Sequence, residues 1–314
     1  MDIIKELSNS KKIAISGHIS PDGDSIGSCI AMTLYLRKIL KDADIRLFLE
    51  EIPECFKGIE GYEIIDSTYA GMEPDAYILL DAGPERMGSG EKLYRNAKLT
   101  INIDHHLSNE HGSGDINYID INASSAAEMV YRLMDPSYLD KTIASWLYLA
   151  IAHDTGVFKY PATTPETMRI IARLMEEGIN CQYLIDKTYY EKTYAQNLAC
   201  ARIVLSSKIY FDGKVIIGSI SRQEMTEHNI VKSDFEGVIN QLRITSGVEV
   251  AIFMYPMNDA TIKVSLRSKE KINVAKISEH FGGGGHKRAA GFYHKDSEED
   301  IRNKLLELLA LEEW

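Results

Sequence analysis

Long apolar runs are missing from this chain. No stretch in its 314 residues approaches the roughly 18 consecutive apolar positions that a membrane-spanning helix needs, which excludes a helical membrane protein. Cysteine is scarce: Cys29, Cys55, Cys181 and Cys200 are scattered, with no CxxC pair. That excludes a disulfide scaffold and a thiolate zinc site, and leaves reduced, mostly buried thiols. An excess of basic charge is also missing. Lys and Arg total 35 against 46 Asp and Glu, for a net charge of -11 at pH 7. Binding of long duplexes or strands is driven by phosphate neutralisation and counterion release, so a long nucleic acid is excluded as a partner. Any nucleic-acid ligand has to be short, held locally by a few basic groups and by metal. No GxGxxG follows the first apolar strand, which removes the dinucleotide-cofactor fingerprint. The residues Met1-Asp2-Ile3-Ile4-Lys5-Glu6-Leu7 are acidic and amphipathic, unlike a secretory signal, and a cytoplasmic location without membrane contact is expected.

What the chain does contain is the composition of a soluble globular protein, 45% hydrophobic and 26% charged, with length for about two domains. Short apolar strands are expected at 12–16, 44–49, 75–80 and 99–103, alternating with helical patterns such as 25–41. This alternation predicts an α/β fold, a parallel doubly wound sheet, over residues 1–190. A connecting helix is expected at 191–206. Strand pairs at 208–220 and 248–267, a helix at 273–281, a strand at 289–294 and a terminal helix at 298–311 predict a smaller α/β domain with a mixed sheet over 207–314. Asn258 and Asp259 are placed near a hairpin turn.

The stretch Gly17-His18-Ile19-Ser20-Pro21-Asp22-Gly23-Asp24-Ser25-Ile26-Gly27-Ser28 reads as a tight loop between the first strand and a helix. Pro21 and Gly23 turn it sharply, so His18, Asp22 and Asp24 converge. Carboxylates crowded at the C-terminal end of a strand repel one another, and a divalent cation removes the conflict. Asp-Gly turns and Asp or Ser caps are common, so the loop alone decides little. The pattern recurs, however: Asp81 follows one apolar strand and Asp104-His105-His106 follows another. Asp154 interrupts the apolar helix at Ala150-Ile151-Ala152, where a carboxylate is costly to bury without cationic partners. About four aspartates and two histidines then face one cavity. That is enough for two divalent ions about 3.5–4 Å apart sharing a bridging carboxylate, the arrangement that serves phosphoryl transfer. Imidazole and carboxylate without thiolate suits Mn2+ best, ahead of Mg2+, Fe2+ or Zn2+.

In the second half, Phe281-Gly282-Gly283-Gly284-Gly285-His286-Lys287-Arg288 lets backbone N–H groups approach an anion, since no side chain blocks the way. Arg267, at the end of a predicted strand, can meet this loop. The local charge is positive inside an acidic chain.

The opening motif, the Asp-His-His triplet at 104–106 and Asp154-Thr155-Gly156 together resemble the signature motifs of the DHH phosphoesterases. Residues 281–291 resemble the glycine-rich motif of the DHH-associated C-terminal domain. The resemblance runs in order over nearly the whole chain, and the lean layout looks most like the oligoribonuclease (nanoRNase) and pAp phosphatase subgroup. It implies that one metal takes His18, Asp22 and Asp81, and the other takes Asp24, Asp81, His105 and Asp154, with Asp81 bridging. It implies that Asp104 orients a histidine and that His106 lies beside the scissile phosphate. It implies substrate contacts from Arg267, Gly283, Gly284, Gly285, His286 and Arg288. Asn109 either supports the triplet or touches substrate.

The implied activity is metal-dependent hydrolysis of short oligoribonucleotides (nanoRNA) to mononucleotides, or of the 3'-phosphate of pAp. The alternative is a phosphodiesterase acting on cyclic dinucleotides or linear pApA. A nucleotide sensor without turnover predicts lost ligands, and none is missing. The oligomeric state stays open, with a homodimer as the guess.

Overall fold

Strand sequences that are apolar on both faces set the centre of the first unit, Met1–Glu191. In the computed structural model, which describes residues 2–258 and 260–314, β1 (Lys12–Ser16), β2 (Asp44–Phe48), β3 (Ile65–Asp66), β4 (Ala76–Leu80), β5 (Leu99–Asp104) and β6 (Ile116–Ile119) form one sheet. Every pairing is parallel and the order is β3-β2-β1-β4-β5-β6. All five residues of β4 are buried, which accounts for its uninterrupted apolar sequence. The order reverses between β1 and β4, and the C-terminal edge at such a switch point is where open α/β sheets bind ligands.

Helices α1 (Ile3–Glu6), α2 (Gly23–Ile39), α3 (Glu91–Asn96), α4 (Ala126–Leu133), α5 (Lys141–Asp154), α6 (Pro165–Met175) and α7 (Cys181–Ile185) accompany the sheet. Helix α2 starts at Gly23, two residues before the expected start, because the Asp22 carboxylate caps it by accepting from the N–H groups of Asp24 and Ser25. It lies unusually close to α5. A Cβ on Gly27 would stand 2.5 Å from the Trp146 carbonyl oxygen and 2.7 Å from Ala150 Cβ. Helix α7 continues into a wider π turn over Asp186–Tyr190.

The second unit, Lys192–Trp314, holds β7 (Lys208–Tyr210), β8 (Val215–Ser219), β9 (Val250–Asn258), β10 (Thr261–Ser268), β11 (Gly284–His286) and β12 (Ala289–His294). Their order is β11-β12-β10-β9-β8-β7, antiparallel except for the parallel pair β8–β9, so the sheet is mixed. Asp259, expected at the turn between β9 and β10, lies outside the described residues. Helices α8 (Tyr194–Ser206), α9 (Arg222–Glu227), α10 (Val238–Arg243), α11 (Val274–Glu279) and α12 (Glu298–Leu309) cover both faces. Alternation along β9 feeds two cores. Val250, Ile252 and Met254 pack with Ile277, Ile301 and Leu305, while Ala251 and Phe253 pack with Val238 and Leu242. Ala199 and Ile203 of α8, the helix expected as a connector, join this second core. Among the described residues no helix is long and apolar enough to cross a membrane.

Candidate metal centre

The ends of β1, β4 and β5 and the end of α5 bring His18, Asp22, Asp24, Asp81, His105, His106 and Asp154 together. Three overlapping groups have ligand atoms within 4.8 Å of one another: His18, Asp22 and Asp81; Asp24, His105 and Asp154; and Asp81, His105 and His106. Asp81 stands between the two histidine ligands expected from the sequence. Its Oδ2 lies 3.6 Å from His18 Nε2 and its Oδ1 lies 3.4 Å from His105 Nε2. His18 Nε2 is also 3.8 Å from Asp22 Oδ1, and His105 Nε2 is 3.7 Å from Asp24 Oδ2 and 3.6 Å from Asp154 Oδ2.

These separations exceed the 2.7–3.2 Å typical of N–H···O bonds. They suit pairs of donor atoms that each stand roughly 2.1 Å from a shared cation. Asp81 Oδ1 and His105 Nε2 are buried and lack any hydrogen-bond partner among the described residues, a costly state that a cation relieves. The donor set of imidazole nitrogen and carboxylate oxygen is chemically apt for a divalent ion. The residues present therefore fit a metal.

Neighbouring groups aim each donor. His18 Nδ1 is 2.8 Å from the Ile19 carbonyl oxygen and His105 Nδ1 is 3.4 Å from that of Ala123, so each ring is tied at Nδ1 and turns Nε2 towards the carboxylates. Asp24, 1% exposed, is gripped by the first turn of α4: Ala126 N–H donates to Oδ2 at 2.7 Å and Ala127 N–H to Oδ1 at 3.0 Å. Asp81 has φ 59°, the left-handed region, which aspartate tolerates better than most residues. Past Asp154, the positive φ of Gly156, Val157 and Phe158 closes the end of α5 in a tight turn. Branched and aromatic residues adopt that region at a cost.

Electrostatics follow from this crowding. Burial alone would lower His18 and His105, but nearby carboxylates prevail: Asp22 and Asp81 raise His18 to about 9, and Asp81 and Asp24 raise His105 to about 10. Asp24 is pushed well above the carboxylate range by burial and then by Asp81, and Asp154 is raised to about 6, chiefly by burial.

Asp104 stands apart from the ligand groups. Its Oδ1 is 2.7 Å from His106 Nδ1 and accepts from the N–H groups of both His105 and His106. Its Oδ2 accepts from Asn109 Nδ2 at 2.8 Å. Burial works against the Asp104 carboxylate, yet His106 and Asn109 hold it below the ordinary range. The hydrogen bond that His106 donates to Asp104 raises His106, whose side chain is 39% exposed against 2% for Asp81. Asn109 Nδ2 also donates to Asn102 Oδ1 at 2.8 Å, so this side chain supports the triplet. Sequence reasoning missed Asn102, whose Nδ2 donates to the carbonyls of Leu79 and Ala82 and so ties β5 to the loop carrying Asp81. An asparagine inside an apolar strand was the available signal. It also missed the link from α4 to Asp24.

The expected substrate contacts lie in the second unit. Arg267 on β10 and His286 on β11 both stand opposite Ala289 of β12, which places them in one row on one face of the sheet. Gly283, Gly284 and Gly285 do not form an open loop. Gly283 N–H donates to the Ser278 carbonyl, and Gly284 and Gly285 pair with Gly291 and Ala290 of β12. A Cβ on Gly283 would stand 2.4 Å from Phe292 Cβ, and one on Gly285 2.4 Å from the Ala289 carbonyl oxygen, whereas Gly284 faces open space. Arg288 is exposed in the turn between β11 and β12, its carbonyl accepting from Ser268.

Residues 12–151 match the DHH family, N-terminal domain, and residues 212–311 match the DHHA1 domain. The chain is 28% identical over 282 residues to the bifunctional oligoribonuclease and PAP phosphatase NrnA of Thermus thermophilus, covering 89% of this chain and 83% of that protein. It is 26% identical over 299 residues to the protein of the same name from Bacillus subtilis, covering 92% and 91%. An exopolyphosphatase-related protein from Bacteroides fragilis shares the fold with a TM-score of 0.86 at 25% identity, covering 98% of this chain and 96% of that one. The chain thus carries a DHH family N-terminal domain followed by a DHHA1 domain.

Proposed function

We propose that the chain is a metal-dependent phosphoesterase. Its substrates are short oligoribonucleotides, cleaved to mononucleotides, and the 3'-phosphate of pAp. The observation that carries this reading is the pair of buried atoms without partners, Asp81 Oδ1 and His105 Nε2, at the switch point of the sheet. The names of the relatives support the substrate class. One ion is held by His18, Asp22 and Asp81 and a second by Asp24, Asp81, His105 and Asp154. Asp81 is the shared ligand because its two oxygens face different histidines. Manganese is the metal proposed, on the mixed imidazole and carboxylate donors. Residues 1–190 carry the reaction and 207–314 hold the substrate. None of the described cysteines forms a disulfide, which supports a cytoplasmic site of action.

Divalent ions in this centre supply Lewis acidity towards phosphate oxygens and promote the ionisation of water. The chain's own residues do the rest. Asp104 fixes His106 through Nδ1, so Nε2 is the nitrogen presented to the substrate. Contact with Asp104 raises His106 and so favours the protonated ring, a donor to the phosphate as charge builds on its oxygens. Asn109 and Asn102 hold the carboxylate that orients His106. Helix α4 holds Asp24 against rotation through two N–H groups.

The test is turnover by purified protein, with manganese, of RNAs of two to five nucleotides, pAp, pApA and cyclic dinucleotides. Hydrolysis of the short RNAs and pAp is expected. Failure on every substrate would sink the reading, and a preference for cyclic dinucleotides would move the chain to that class.

A further inference from the structure

Two guanidinium groups in the second unit share one region, and no acid among the described residues forms an ion pair with either. Arg267 on β10 stands opposite Ala251 of β9 and Ala289 of β12, so its side chain leaves the face that carries Ala251 and Phe253. Helix α10 packs on that face through Val238 and Leu242, and Arg243 is its last residue. The segment after α10 is tied to the end of β10, because Lys269 Nζ donates to the Thr245 carbonyl oxygen at 3.0 Å. Arg267 donates from Nη1 to the Leu266 carbonyl at 3.0 Å. Arg243 Nε is buried and has no hydrogen-bond partner among the described residues. Among the described residues neither arginine forms an ion pair. Glu249, just before β9, has its Oε1 engaged by the N–H groups of Glu270, Lys271 and Ile272. Arg267 lies below the ordinary guanidinium range, through burial first and the neighbouring charge of Arg243 second.

A buried donor without an acceptor, beside a second like charge, is costly, and an anion seated between the two relieves both penalties. Guanidinium forks suit phosphate, and two of them match the dianion of a phosphate monoester better than the single charge of a bridging diester. We infer that Arg243 joins Arg267 in a site for a terminal phosphate monoester, and that Arg243 is the arm that sets preference for substrates carrying one. The inference rests on the proposed action on short nucleotides. It adds a residue in a segment for which the sequence held no motif.

The experiment compares equilibrium binding of pApA and ApA to the full chain with metal chelated, so that nothing is turned over. Wild type is expected to bind pApA more tightly. In Arg243→Gln the advantage of pApA shrinks by about 10- to 100-fold, while ApA binding and the melting temperature stay within error. Arg243→Lys, which keeps the charge and loses the fork, falls between them. Unchanged preference in Arg243→Gln overturns the inference. So does an equal loss for both dinucleotides with a lowered melting temperature, which marks a structural arginine, or a wild-type chain that binds neither. Turnover of both substrates after manganese is restored reports on the phosphoesterase reading separately, since that reading can fail while phosphate-dependent binding survives.

Discussion

Metal loading by this chain should release protons. In the metal-free protein the carboxylates raise His18 to about 9 and His105 to about 10, while a metal ligand must be neutral imidazole. Between about pH 7 and 8.5 both rings are therefore charged before loading and neutral after it, and about two protons leave as both sites fill. Asp154, at about 6, is already ionised there. The apparent overall association constant should rise by about 100-fold per pH unit across that window. The assay is titration calorimetry with manganese in two buffers of different ionisation enthalpy, repeated at several pH values. Stability of the metal-free chain has a matching sign. Because both folded-state values lie above the ordinary 6.5, the stabilisation from these pairs is complete below about 6.5 and disappears as pH rises through 9 to 10. For His18 alone, moving from 6.5 to about 9 corresponds to on the order of 3 kcal/mol. The metal-free melting temperature should fall over that range, and manganese should reverse the fall. Heats independent of the buffer, with an affinity flat from about pH 7 to 8.5, would refute the reasoning.

Asp81→Asn keeps the size of the side chain and tolerates the positive φ, so it should fold, lose bound manganese and lose turnover; metal analysis showing two retained ions would remove Asp81 as the shared ligand. Asn109→Ala deletes the bonds to Asp104 and Asn102 and should slow turnover by about 10- to 100-fold with metal content kept, read from kcat and metal analysis on one sample. Gly27→Ala drives a methyl group into the α5 backbone at Trp146 and should cost about 1–3 kcal/mol in urea unfolding. A shift smaller than the error of that measurement would mean the two helices can separate freely.

The clusters at His18, Asp81 and His105 were legible because each follows a strand whose run of buried apolar residues announces itself. A parallel sheet then carries those ends to one edge. Asp154 was legible as a charge breaking an apolar helix. Asp24's anchorage was not: its carboxylate meets N–H groups 102 and 103 residues later in the chain, and backbone donors leave no mark in a sequence. Strand β11 was read as a loop because Gly284-Gly285-His286 has no strand propensity. It pairs because Gly283 and Gly285 admit β12 at a distance no side chain allows. Helices α9 and α10 are six residues each, too short for an apolar period to stand out, and Arg243 was hidden with them. The parallel pairing of β8 with β9 depends on a 30-residue excursion between them (220–249) that no local pattern encodes.

Every group of the candidate centre precedes residue 155, and the unit that contains them closes at Glu191. On the proposed assignment, the hydrolytic apparatus and the selection of what it acts on are written on separate lengths of one gene. Mutation or recombination confined to the later length can redirect the protein to a new compound while the earlier length is inherited intact. That is an economical way for a single reaction to diversify across genomes.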